Sequence, residues 1–202
     1  MSLLKADIRR PARLDALVLA AVLVAADLAT DHSTAGKVLG AFLVVVLVTA
    51  TVTDLRRRKI PNWLTLPAAA WALVLGLILH PSGLPGQALA GLAAGGFMFV
   101  FAVLYPKGLG MGDVKLTLAM GLYLSASVAV ALVVGLICSA LAGLFVIRRE
   151  GFAKGRKRGL PLAPFLAVGG VVAILAGPEI VHWYVHSQSL GAILGGGLGL
   201  RL

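Results

Sequence analysis

Asp54 and Asp113 are the residues on which chemistry can be built. Each stands at the edge of an apolar stretch of membrane-crossing length. Asp54 precedes Leu55-Arg56-Arg57-Arg58-Lys59-Ile60-Pro61-Asn62, and Asp113 lies in Gly110-Met111-Gly112-Asp113-Val114-Lys115. Only eight of 202 residues are acidic, so few carboxylate pairs are available for general acid and base work. A charged side chain beside hydrocarbon is costly and calls for an explanation. Two carboxylates at one membrane depth can share a proton, because like charges in a poorly solvated site do not both ionise easily. One then acts as base on a water while its protonated partner polarises a peptide carbonyl. That chemistry is intramembrane aspartyl proteolysis. Each residue also has a plainer reading: Asp54 as a solvated helix end or local ion pair, and Asp113 as an N-cap accepting helix N–H bonds. The glycines before Asp113 allow close backbone approach to a substrate and leave the segment free to bend.

The elements that must position these residues are membrane helices. The chain is 59% hydrophobic and 13% charged, with a mean hydropathy of +0.98. Soluble domains rarely exceed about half apolar residues, which makes this an integral membrane protein. The expected fold class is all-α: one polytopic helix bundle of six to eight spans, with seven the favoured count, occupying residues 1–202. A net charge of +10 raises nucleic acid as a partner, but the cations fall in short runs between apolar segments, as topology signals do, so no nucleic acid is expected.

Residues 1–13 carry Lys5, Arg9, Arg10 and Arg13 and lead into an apolar run to about residue 29, read as a retained signal-anchor helix in preference to a cleaved signal peptide. Further spans are expected at about 38–53, 63–79 and 88–105, the last with Gly91, Gly95 and Gly96 as a small-residue packing face. Residues 114–147 suit two short spans with a turn near Ser125-Ala126-Ser127. A final span opens at Pro161 and ends near Gly177-Pro178, leaving 178–202 as an interfacial or poorly ordered tail, an eighth helix being disfavoured by its glycines. With the N-terminus in the cytosol, sixteen of the eighteen Lys and Arg residues fall on that side, leaving Lys37 and Arg201 outside; Lys107, Lys115 and the six cations of residues 148–158 are among the sixteen. The same orientation puts Asp54 and Asp113 together on the cytosolic side.

Flanking sequence makes the pair specific. Thr53-Asp54-Leu55-Arg56-Arg57-Arg58-Lys59-Ile60-Pro61-Asn62-Trp63-Leu64-Thr65 resembles the first-aspartate motif of type IV prepilin peptidases, and Gly110-Met111-Gly112-Asp113-Val114-Lys115-Leu116 resembles their Gly-x-Gly-Asp motif. Leu160-Pro161-Leu162-Ala163-Pro164-Phe165-Leu166-Ala167 is similar to the family's late Pro-x-x-Pro-Phe segment, with Ala163 where glycine is more usual. The matches keep the family's order. The resemblance implies an aspartic endopeptidase of the bacterial cytoplasmic (inner) membrane that removes the leader from a prepilin or pseudopilin. Asp54 and Asp113 would be its catalytic pair, Gly110 and Gly112 would shape the loop, and Pro61, Asn62 and Lys115 would support the site. It implies no metal and no cofactor. Long family members add a cytosolic domain with paired cysteines, associated with methylating the processed pilin. This chain has one cysteine, so it resembles the short forms of tight-adherence or Flp-type pilus systems, and methyltransferase activity is not carried over.

The remaining candidates are weaker. His182 and His186 stand four apart and would share a helix face, but no third metal ligand is evident, and beside Trp183 and Tyr184 they read as an interfacial belt. The 148–158 run would contact anionic lipid, Cys138 reads as a packing residue, and a homo-oligomer stays open. Two rival functions remain: another Gly-x-Gly-Asp protease of the presenilin type, poorly matched by Thr53-Asp54 and Pro161-Leu162-Ala163, and a small transporter using Asp54 and Asp113 as proton or cation sites. A transporter would favour internal repeats and midplane carboxylates, and neither is seen.

Overall fold

The computed structural model describes residues 33–105, 108–150 and 161–196. The expectations for the N-terminal segment, for Lys107, for residues 151–160 and for residues 197–202 lie outside the described residues. All long elements among those described are helices: α1 (Thr34–Arg57), α2 (Asn62–Leu79), α3 (Leu84–Leu104), α4 (Met111–Leu124), α5 (Val128–Glu150) and α6 (Ala163–Gly196). Single 3-10 turns at Pro81–Gly83 and Ser125–Ser127 join α2 to α3 and α4 to α5. Five stretches are long and apolar enough to cross a membrane, one of them Met111–Arg149, which holds both α4 and α5. The all-α bundle is therefore as expected, including the break at Ser125.

Local chemistry sets the boundaries. The Ser33 side chain caps α1 by accepting the Gly36 N–H at 3.2 Å. Pro61 precedes α2 and Pro85 opens α3, where a missing N–H costs no helical bond. Large apolar side chains such as Trp71, Ile78, Leu89 and Leu92 point outward, as hydrocarbon solvent allows. Leu43 and Leu47 of α1, Met98 of α3, Leu116 and Met120 of α4 and Leu166 of α6 fill the centre.

Two seams hold the helices close, α3 on α4 and α5 on α6. A Cβ on Gly121 would come within 2.6 Å of the Gly91 Cα and 2.7 Å of the Ala90 carbonyl oxygen, so these backbones touch. Gly91 and Gly95 serve the seam as the sequence led us to expect, whereas Gly96 faces open space.

The last span does not stop at Gly177-Pro178; α6 continues through Pro178 to Gly196. Gly177 is a packing residue here, since a Cβ would lie 2.7 Å from that of Ser127. A helix among membrane spans also tolerates the donor lost at proline. Residues 178–196 thus extend the last span as helix, where the sequence reading ended that span near Gly177-Pro178 and gave 178–202 as an interfacial or poorly ordered tail.

Candidate active site

One end of the bundle gathers the ends of α1, α3 and α5 and the starts of α2, α4 and α6. Asp54 occupies the last turn of α1 and is 6% exposed. Its Oδ2 accepts the Ala163 N–H at 3.1 Å, from the first residue of α6 and 109 positions along the chain. A free N–H at a helix start suits a carboxylate. The Asp54 carbonyl accepts the Arg58 N–H at 2.7 Å, and Arg58 closes α1 in the left-handed region at φ 50° and ψ 36°. A non-glycine residue there costs about 1 kcal/mol. That turn brings Lys59, Ile60 and Pro61 back across the bundle end to start α2.

Asp113 is the third residue of α4 and is half-buried. Its Oδ2 accepts the Gly110 N–H at 3.1 Å, and its own N–H returns to the Gly110 carbonyl at 3.0 Å. Gly110, at φ −86°, is the N-cap residue. The N-cap reading of Asp113 is therefore corrected by three positions of the helix: Asp113 is N3, and its carboxylate reaches back to the cap residue, as the acid of a capping box does. Gly112 permits the meeting of the two motifs. A Cβ there would lie 3.0 Å from the Ile60 Cβ and 3.2 Å from its carbonyl oxygen.

The two supporting polar residues find each other. Lys115 Nζ donates to Asn62 Oδ1 at 2.9 Å, tying α4 to α2 beside the aspartates. One end of the bundle thus holds Asp54, Pro61, Asn62, Gly110, Gly112, Asp113 and Lys115. A cavity of about 510 Å³ opens at the same end, but its walls come from α1, the following turn and α2, including Thr53, Pro61 and Asn62, and include neither aspartate.

Three features escaped the sequence reading. The Ala163 N–H is a backbone donor; its only signal was the late Pro-x-x-Pro-Phe segment. Arg58 carries the positive φ that ends α1 beside Asp54. Thr51, Thr65 and Thr117 each stand one helical turn below Asp54, Asn62 and Asp113, and their hydroxyls are buried without a hydrogen-bond partner. Buried hydroxyls without a partner are unusual. His182 and His186 stack with ring centroids 5.9 Å apart, nineteen residues or about 28 Å of helix from Ala163. Among the described residues no three His, Cys, Asp or Glu side chains gather as metal ligands.

The family model described as "Type IV leader peptidase family" matches residues 41–147, which include both aspartates. A protein of Aeromonas hydrophila named "Prepilin leader peptidase/N-methyltransferase" is 33% identical over 147 residues, covering 67% of this chain and 48% of the relative. A protein of Bacillus subtilis with the same name is 34% identical over 141 residues, covering 66% of this chain and 54% of the relative. The chain spans about half the length of these curated relatives. No solved structure matches it. A family match across more than half of the chain, over the segment that carries both motifs, establishes that the chain belongs to the type IV leader peptidase family.

Proposed function

We propose that the chain is an intramembrane aspartyl endopeptidase that cleaves the leader from a prepilin or pseudopilin at the cytosolic face of the bacterial inner membrane. The observation that carries this reading is the delivery of Asp54 and Asp113, from two different helices, to one end of the bundle, with each carboxylate anchored by a backbone N–H. The names of the relatives and the cation distribution support the substrate class and the orientation, with the N-terminus cytosolic.

Hydrolysis then follows from the pair. One ionised carboxylate takes a proton from water as the oxygen attacks the scissile carbonyl carbon. The protonated partner hydrogen-bonds to the carbonyl oxygen as charge develops there. The proton taken from water passes to the leaving nitrogen, the peptide C–N bond breaks, and the pair is again singly protonated. Gly110 leaves room for an extended substrate backbone near Asp113, while Gly112 lets Ile60 close against α4. Pro61, Asn62 and Lys115 fix the α2 and α4 ends on either side of the turn.

The test is cleavage of a prepilin by the purified chain in vesicles, scored by loss of the leader. Cleavage by the wild-type chain that persists in EDTA is the expected result. Proton or cation uptake by the same vesicles, with no cleavage of any prepilin or pseudopilin, would replace the peptidase with a transporter.

A further inference from the structure

The cavity beside Asp54 is lined by cations that the peptidase reading leaves unused. Arg56, Arg57 and Lys59 line it, and no carboxylate is among its walls. None of these cations has an ion-pair partner among the described residues. The nearest carboxylate in sequence, Asp54, is already engaged by Ala163. Three cations around one space repel each other unless an anion joins them. A topology signal needs positive charge on the cytosolic side, but it does not need that charge gathered round a hollow.

The rest of the wall joins apolar Val52, Ile60, Pro61 and Trp63 to polar Thr53 and Asn62. Trp63 is 68% exposed, and Leu66, one turn further along α2, is 56% exposed. A ligand leaving the cavity along α2 therefore passes from cations to a tryptophan and then onto the apolar exterior of a membrane helix. Tryptophan marks the level of lipid head groups. The volume of about 510 Å³ falls within the range of roughly 300–1,000 Å³ typical of small-molecule sites. Inorganic phosphate would leave the apolar wall unused, and a nucleic acid has no chain to lay on Leu66.

We propose that this cavity is a binding site for an anionic phospholipid, with its phosphate among Arg56, Arg57 and Lys59 and an acyl chain along Trp63 and Leu66. The cavity shares Pro61 and Asn62 with the proposed peptidase site, but occupancy is read without any substrate, so failure of this proposal and failure of the peptidase reading are distinguishable.

The experiment uses the full chain in zwitterionic detergent, titrated with phosphatidylglycerol or phosphatidylcholine, with bound lipids counted by native mass spectrometry. Wild type should retain phosphatidylglycerol in preference to phosphatidylcholine. Arg57→Gln and Lys59→Gln should each lower the preference about fivefold, the factor expected of one cation against an anionic lipid surface. The triple variant with Arg56→Gln should abolish it. Arg148→Gln with Arg149→Gln, at the same end of the bundle, should leave it intact. Equal loss in that control would show a general surface charge effect and overturn the proposal. So would unchanged preference in the single variants. Inorganic phosphate alone, bound as tightly as the lipid and with the same dependence on these cations, would show a free-anion site and overturn the lipid assignment.

Discussion

Asp54 and Asp113 are the same side chain mounted in two different ways. Asp54 is buried, and the N–H that holds it arrives from a helix 109 residues away. Asp113 is half-buried, and both of its bonds stay within three residues of itself. The first mounting exists only when α1 and α6 have met. The second needs the start of α4 and a neighbour that lets Ile60 approach. One carboxylate thus records assembly of the bundle, and the other belongs to a local unit that can shift without unpacking it.

The largest effect should come from removing either acid. Asp54→Asn and Asp113→Asn each keep size and hydrogen bonding but lose proton exchange, and leader cleavage should fall by about 10²–10⁴-fold in both. Near-full activity in one would remove that residue from the pair. Next comes the distant mounting. Ala163→Pro deletes the N–H at a first-turn position where proline is compatible with the helix. Because a bond to a charged group contributes about 1.5–3 kcal/mol to stability and Ala163 is fully buried, the melting temperature should fall, and cleavage should drop roughly ten- to a hundredfold. Ala163→Gly keeps the donor and should stay close to wild type, so equal damage from both would break the comparison.

Gly112→Ala probes the local mounting from outside. Its Cβ would press on Ile60 at 3.0 Å, and the overpacking should cost about 1–3 kcal/mol in thermal or denaturant unfolding. An unchanged unfolding curve would mean that the Ile60 turn yields freely. The smallest effect belongs to Asn62 and Lys115. Their bond is exposed, and a double-mutant cycle with Asn62→Ala and Lys115→Met should give a coupling of no more than about 1 kcal/mol.

The sequence was most readable where side chains carry the message. Apolar runs bounded by Pro and Gly located the helices, and the break at Ser125 fell in place. Asn62 and Lys115, 53 positions apart, were picked out with the aspartates and do meet. Backbone groups and packing were not readable in this way. Ala163 contributes only an N–H, which every residue but proline has. Gly177 before Pro178 has the form of a helix stop, and only the position of Ser127 shows that its missing side chain is a packing requirement. The basic run after Asp54 could be read for topology, but not for the hollow it surrounds.

Helix α4 has 14 residues, against 24 in α1 and 23 in α5. At 1.5 Å per residue it is about 21 Å long, short of a hydrocarbon layer of about 30 Å. With its Ser125 turn at the opposite surface, its Asp113 end would lie about 9 Å beneath the near one. On the proposed peptidase reading, a scissile bond would have to sink to that depth, or the lipid around α4 would have to thin to meet it. Bilayer thickness would then act on the enzyme as a rate-setting variable: shorter acyl chains should ease access to Asp113, and longer ones should hinder it.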